Sequence, residues 1–280
     1  MIKKSQVIDG QKIAIKELAA LKSQIQKKRI KPGLAVILVG RDPASQLYIK
    51  LKENAAKKVG INFSKYLLPE MTTEKKIINL IKSLNKQSAV HGIIVQLPLP
   101  KHLNPDKIIN TIDYRKDADG FHKKNLTSLK SKTDFIKPVM LEVVSNLLKW
   151  TRRNFNNQLA CLVANSNKFF EPFQYFLPSA FGLRITTAKV GHRDLKNKAR
   201  RADVLIVALG KPHFINADYV KKNAIVIDIG ITKKGTKTLG DVEFDKVKQK
   251  AGFITPVPGG VGPLTVAYLL KNVFLLAHKK

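Results

Sequence analysis

The sequence predicts an α/β protein of two lobes, and three observations lead there. Short, continuously apolar runs bounded by turn residues recur along the chain, as strands buried on both faces of a parallel sheet do. Segments of helical period fall between them, the alternation of a doubly wound layer. At 280 residues the chain is long enough for two α/β units, each with its own core.

The elements follow in order. Ala14, Leu18, Leu21 and Ile25 recur at helical spacing, and Lys31-Pro32-Gly33 ends that helix. Leu34–Val39 is the first apolar strand. Asp42-Pro43 opens a second helix that runs to about Val59, with Gly60 as its stop. Thr73–Leu84 gives a third helix, and Gly92–Leu97 a second strand. Beyond Lys130–Lys137, the expected hinge, Met140–Trp150 is helical. Strands are then expected at Leu159–Val163, Ile185–Lys189, Val204–Leu209 and Ile225–Ile229. A strongly apolar last helix, Leu264–Ala277, is expected to pack back on the first lobe. The expected domains are therefore 1–136 with the C-terminal helix 264–280, and 137–263.

Composition narrows the class. A hydrophobic share of 44% with 25% charged residues is that of a globular protein, not a disordered one. Runs such as Ala224–Ile231 are too short to span a bilayer, and Met1–Ser5 leads into polar sequence without a secretory signal's apolar stretch. The single cysteine, Cys161, lies in an apolar run and cannot form an internal disulfide, which fits a reducing cytoplasm. The net charge of +31 admits attraction to nucleic acid. Against that stand nine arginines to 42 lysines, scattered without a basic block or interleaved aromatics. Lysine drift is the simpler account.

Four segments carry chemistry. Tyr48 and Lys52 stand four residues apart on the second helix and project from one face, which alone is an ordinary amphipathic edge. Gly92–Pro100 places an amide, Gln96, where a buried strand gives way to a proline-stiffened loop, and ligands of open α/β sheets gather outside such strand ends. Lys116-Asp117-Ala118-Asp119-Gly120 sets two carboxylates in a tight turn, equally readable as an Asx-turn. Thr255–Pro263 is a rigid glycine loop opening the last helix, either structural or a place for backbone to approach a ligand.

Tyr-x-x-x-Lys, Val-Gln-Leu-Pro-Leu-Pro, Lys-Asp-x-Asp-Gly and Pro-Val-Pro-Gly-Gly-Val-Gly-Pro-x-Thr occur here in one order. Together they resemble the bifunctional methylenetetrahydrofolate dehydrogenase/methenyltetrahydrofolate cyclohydrolase family, from Ile8-Asp9-Gly10 through Leu264-Thr265-Val266. The resemblance implies a tetrahydrofolate-binding catalytic lobe, a Rossmann-like second lobe, NADP as cofactor, and a homodimer. It implies that Lys52 is the cyclohydrolase residue, with Gln96 bonded to it and Asp119 anchoring the pterin edge; Tyr48 stacks on the folate. Pro258, Gly259 and Gly260 join the substrate contacts, while Ala164, Asn165, Ser166, Val190 and Ile231 take the cofactor positions. No metal site is implied.

The dinucleotide fingerprint departs from the family's Gly-x-Ser-x-x-Val-Gly-x-Pro. Ala164–Pro172 keeps Ser166 and Pro172 but loses both glycines; Phe170 puts a ring at the second, and Glu171 a carboxylate near an expected 2′-phosphate. Pro138-Val139-Met140-Leu141 replaces the family's Pro-Cys-Thr-Pro, and Lys189-Val190 its His pair. Lys168 is a candidate substitute phosphate ligand. The expectation is hydrolysis of methenyltetrahydrofolate to 10-formyltetrahydrofolate, with NADP-dependent dehydrogenase activity weakened or lost. The alternatives are a fully bifunctional enzyme using NADP, and a non-catalytic folate-fold protein binding RNA or a ribosome through its basic surface.

Overall fold

The computed structural model describes residues 6–131 and 136–278. Its elements run β1 (Gln6–Val7), α1 (Gly10–Lys28), β2 (Gly33–Val39), α2 (Pro43–Val59), β3 (Asn62–Leu68), α3 (Glu74–Lys86) and β4 (Gly92–Val95). Next come α4 (Pro105–Ile109), α5 (Lys123–Ser131), α6 (Val139–Trp150), β5 (Leu159–Ala164), α7 (Asn167–Phe181), β6 (Arg184–Ala188), α8 (Leu195–Arg201) and β7 (Val204–Ala208). A single 3-10 turn, Ala217–Tyr219, precedes β8 (Ile225–Asp228), β9 (Thr232–Lys234), β10 (Lys237–Leu239), α9 (Phe244–Lys248), β11 (Phe253–Ile254) and α10 (Val261–His278). The chain forms two compact units: Ala14–Val139 with Val266–Lys280, and Met1–Ile13 with Met140–Thr265.

The first unit holds a parallel sheet in the order β3-β2-β4. Every residue of the central strand β2 is buried, which is why it reads as an unbroken apolar run. Helix α3 lays Ile77, Ile81 and Leu84, at helical spacing, against Ala35, Ile37, Ile93 and Val95. Each such side chain is worth roughly 1.5–3 kcal/mol when taken out of water. Helix α2 is fixed at both ends: the Asp42 carboxylate accepts from Ser45 N at 2.8 Å, Pro43 takes the first turn, and Gly60 closes it in the left-handed conformation. The last helix supplies Tyr268, Leu269, Leu270 and Val273 as buried residues of this unit. Among the described residues α10 is the helix long and apolar enough to cross a bilayer, and most of it is buried in the protein.

The second unit is a six-stranded parallel sheet, β1-β11-β8-β7-β5-β6. The chain winds outward from β5 to β6, then recrosses to β7 on the other side, so the winding direction reverses at β5. Crevices at such reversals, beyond the strands' C-terminal ends, hold ligands in doubly wound folds. Cys161, Val163, Leu205, Val207 and Val226 form the core with Leu195 and Ala199 of α8. Burial pushes the Cys161 thiol up to about 12, so it behaves as a small apolar side chain.

Several elements depart from the sequence expectations, the short α4, α5, α8, α9 and β9–β11 among them, and three departures have a clear physical cause. Residues 6–13 cluster with the second unit, because β1 pairs with β11 through Gln6 and Phe253; a two-residue edge strand leaves no periodicity to detect. Strand β3 was not anticipated, since this edge strand is broken by Asn62, Ser64 and Lys65 and largely unburied. Helix α7 was hidden by Pro172 and Pro178 inside it. Buried Phe170, Phe173 and Leu177, spaced three and four apart, hold it in place. The expected hinge Lys130–Lys137 lies partly outside the described residues.

Candidate functional site

In the first unit, α2 places Tyr48 and Lys52 on one face, both partly buried. Strand β4 continues past Val95 as Gln96 N donates to Ile37 O at 2.8 Å, and the sharp departure at the cis Leu97-Pro98 bond follows at once. Gln96 is thereby set beside α2, and Lys52 Nζ donates to Gln96 Oε1 at 2.8 Å. The other end of the amide is committed too, since Gln96 Nε2 donates to Leu97 O at 2.9 Å. With that oxygen only accepting, a neutral Lys52 amine keeps its lone pair for something other than Gln96.

The third group comes from the loop after α4. Ile93 N donates to Lys116 O at 2.7 Å, and Asp117 bridges to Ile93, so this loop runs as an extension of the sheet edge. The two carboxylates it carries have different employment. Asp117 is buried and accepts from Gly120 N at 3.1 Å, His122 N at 2.7 Å and Asn125 Nδ2 at 2.9 Å; it shapes the turn. Asp119 interacts electrostatically with Lys52. Burial pushes the Lys52 pKa below the ordinary lysine value, and the Asp119 charge opposes that shift. The same burial raises Asp119, with Lys52 pulling the other way. Burial also raises Asp117, to about 6, and raises Tyr48. The cluster is an amine whose pKa burial lowers, a fixed amide acceptor, a carboxylate and a phenol, groups able to exchange protons and hydrogen bonds with a bound molecule.

The remaining expected residues lie in the second unit. Pro258, Gly259 and Gly260 pack on the start of α1: Gln11 N donates to Gly259 O at 2.9 Å, and a Cβ at Gly10 would lie 1.8 Å from Gly260 O. The density of glycine there has a structural cause on both sides of the contact. Ala164 ends β5 and Asn165 and Ser166 follow it, Val190 follows β6 and Ile231 follows β8, so all sit at or just beyond C-terminal strand ends on the side of the sheet where the winding reverses at β5. Asn165 Nδ2 ties the end of β5 to the end of β7 by donating to Leu209 O at 2.9 Å.

The loss of both fingerprint glycines has a smaller steric effect than the sequence suggested. None of Ala164, Asn165 and Ser166 has the positive φ that would call for glycine. Phe170 does not obstruct the loop either: its ring is buried, edge-on to Phe169 at 6.4 Å. Ser166 stands at the N-cap of α7 with its hydroxyl making no cap bond, and the 15-residue helix it opens presents first-turn N–H groups suited to a phosphate.

Two features escaped sequence reasoning. Asn272 of α10 is buried and reaches the Asp119 turn, a contact across 154 positions that no local pattern signals. Basic residues scattered in sequence also converge: Lys196, Arg200, Arg201, Lys221, Lys222 and Lys250 line a concavity of about 530 Å³ with Asp218 as its lone carboxylate. Among the described residues no cluster of three or more His, Cys, Asp or Glu could hold a metal ion.

An α/β protein with a lysine–amide–carboxylate site in one unit and a nucleotide-type parallel sheet in the other defines a class of two-domain enzymes. Residues 8–119 match the tetrahydrofolate dehydrogenase/cyclohydrolase catalytic domain, and residues 138–280 match the NAD(P)-binding domain of the same description. The chain belongs to the tetrahydrofolate dehydrogenase/cyclohydrolase family. It is 42% identical over 279 residues to the "Bifunctional protein FolD" of a Nitratiruptor species, covering 98% of this chain and 99% of that one. The same identity holds over 282 residues to the protein of that name from Moorella thermoacetica, covering 98% and 99%. Among solved structures, the bifunctional enzyme FolD from Campylobacter jejuni superposes with a TM-score of 0.93 at 38% identity, over 98% of this chain and 99% of that one. The Trypanosoma brucei enzyme, solved with NADP cofactor and an inhibitor, gives 0.93 at 29% identity over 99% and 98%.

Proposed function

We propose that this protein interconverts one-carbon tetrahydrofolates as a bifunctional methylenetetrahydrofolate dehydrogenase/cyclohydrolase, with cyclohydrolase chemistry at Lys52. The observation that carries the cyclohydrolase half is the Lys52 Nζ–Gln96 Oε1 bond of 2.8 Å at an amine whose pKa burial has lowered. The methenyl carbon of the substrate is a cationic electrophile. Water adds to it while the neutral Lys52 amine takes one of the water's protons, giving a carbinol. The bond from that carbon to N5 then breaks as the Lys52 ammonium returns its proton to N5 and the carbinol O–H loses its proton to solvent, forming the formyl carbonyl of the 10-formyl product with net release of one proton. A cationic substrate beside Lys52 disfavours the ammonium form further, so binding itself primes the base. Asp119 anchors the 2-aminopyrimidinone edge, which a carboxylate can meet with two hydrogen bonds, and Tyr48 stacks on the aromatic middle of the folate.

The dehydrogenase half rests on relatives named as bifunctional at 42% identity over nearly the full length. Bound NADP would accept the hydride of the methylene carbon. Ala164, Asn165, Ser166 and the first turn of α7 would hold its phosphates, with Val190 and Ile231 flanking the crevice. The resemblance also implies a homodimer, which light scattering tests.

The replaced fingerprint favours a second reading, a cyclohydrolase with weakened or absent dehydrogenase activity. Glu171 adds negative charge to the helix that would receive phosphate, and Val139-Met140-Leu141 removes small polar groups. Calorimetric titration of NADP+ and NAD+, with an absorbance assay of methylenetetrahydrofolate oxidation at saturating cofactor, decides between them. Micromolar binding with turnover supports the bifunctional enzyme. Absence of both, with methenyl hydrolysis retained, supports the second reading.

A further inference from the structure

We infer that Asn272 of α10 is a positioning residue for Asp119, clasping the chain on both sides of the Asp119 turn and so fixing where that carboxylate stands. The inference rests on the reading of Lys52 and Asp119 as reacting groups and adds a residue that acts through one of them. Asn272 Nδ2 donates to Ala118 O at 2.9 Å and to Lys137 O at 3.2 Å, using both of its hydrogens. Ala118 immediately precedes Asp119, and Lys137 begins the segment that lies along it.

The two stretches are joined by more than this clasp. Val139 N donates to Asp119 O at 3.1 Å. Gly120 has a φ of 76°, and a Cβ there would lie 2.6 Å from Pro138 N, so the turn sits directly on the 137–139 backbone. Asp117 holds the opposite side through Gly120 N, His122 N and Asn125. With its backbone held on both sides, Asp119 has little left to vary except its own side-chain torsions.

The location of Asn272 argues against a packing role. Its neighbours Leu269, Leu270, Val273 and Phe274 are all buried and apolar, and a leucine would fill the same space without a polar group to desolvate. An amide at such a position is tolerated because its donors are satisfied, and both go to the turn that carries Asp119. Displacing a catalytic group by about 1 Å can cost roughly a hundredfold in rate.

The test is a double-mutant cycle on the full-length protein. Asn272→Leu keeps the branched side-chain shape, at somewhat larger volume, and removes both donors; Asn272→Ser keeps one donor and replaces it in the cycle if the leucine variant does not fold. Each is combined with Asp119→Asn. Methenyl hydrolysis is measured as kcat and KM across pH, with thermal melting recorded alongside. The expected result is a fall in kcat/KM of about tenfold or more for the Asn272 variant, a displaced pH profile, and a double variant no worse than Asp119→Asn alone. Losses that add in the double variant, or follow the change in melting temperature without moving the pH profile, would overturn the inference. So would a variant with unchanged kinetics. Should Asp119→Asn itself leave folate affinity and kinetics untouched, the reading of Asp119 fails instead.

Discussion

Asp119→Asn separates the two carboxylates of the turn and tests the proposed folate anchor. The substitution is isosteric and spares the backbone contacts at Asp119 O and Ala118 O, so the turn should persist. What it removes is a charged acceptor. A charge-assisted hydrogen bond is worth about 1.5–3 kcal/mol, which converts to a rise of roughly 10- to 150-fold in the folate dissociation constant. Lys52 also responds. Asp119 is the charge that holds its pKa up against burial, so removing it lets the amine's pKa fall further. The rising limb of methenyl hydrolysis against pH should move to lower pH, and folate binding should weaken more than turnover of bound substrate slows. Calorimetry with an unreactive folate gives the first quantity, and absorbance progress curves from pH 6 to 10 give the second. Unchanged affinity would refute the anchor. Asp117 is a poor replacement, because its oxygens already serve Gly120, His122 and Asn125.

The wild-type enzyme's hydrolysis rate should rise with pH, since the neutral amine is the active form. It should level off below the ordinary lysine pKa of about 10.4, because burial lowers Lys52; a profile still rising past that value contradicts the lowered pKa. RNA binding should be non-specific and fade steeply with salt. Arg200→Ser with Arg201→Ser should reduce the slope of log affinity against log salt by about 1.4 for a single strand. Sequence-selective binding at physiological salt would contradict both and favour the non-catalytic alternative.

Much of the fold was legible because its strands are buried on both faces and so spell unbroken apolar runs. Helix α2 could be bounded nearly to the residue, since Asp42, Pro43 and Gly60 each solve a local backbone problem. Edge strands β1 and β3 were illegible for the converse reason: one is two residues long, and the other turns polar side chains to solvent. Helix α7 ran against local propensity, and only the tertiary burial of Phe170, Phe173 and Leu177 explains it. Within the candidate site, the four-residue spacing of Tyr48 and Lys52 was visible, but their pairing with Gln96 across 44 positions needed the fold. The division of labour between Asp117 and Asp119, and the reach of Asn272, depended on long-range hydrogen bonds that no window of sequence contains. At the replaced glycines of the dinucleotide loop the backbone has no positive φ, so conformational freedom is not what their loss removes; the close approach of a ligand to that backbone remains the point that titration of NADP+ tests.

The central claim is that Lys52 is the base of a folate cyclohydrolase, and Lys52→Met tests it most directly. The substitution keeps the reach of the side chain, removes the amine, and leaves Gln96 Oε1 without its donor. Wild-type and variant protein are given the same methenyltetrahydrofolate, and the loss of its absorbance is followed at one pH, with melting curves to show that both are folded. A general base contributes about 10²- to 10⁴-fold, so the variant should fall by that factor toward the buffer rate. Hydrolysis by the folded variant at close to the wild-type rate would contradict the assignment of Lys52 and, with it, the proposed mechanism.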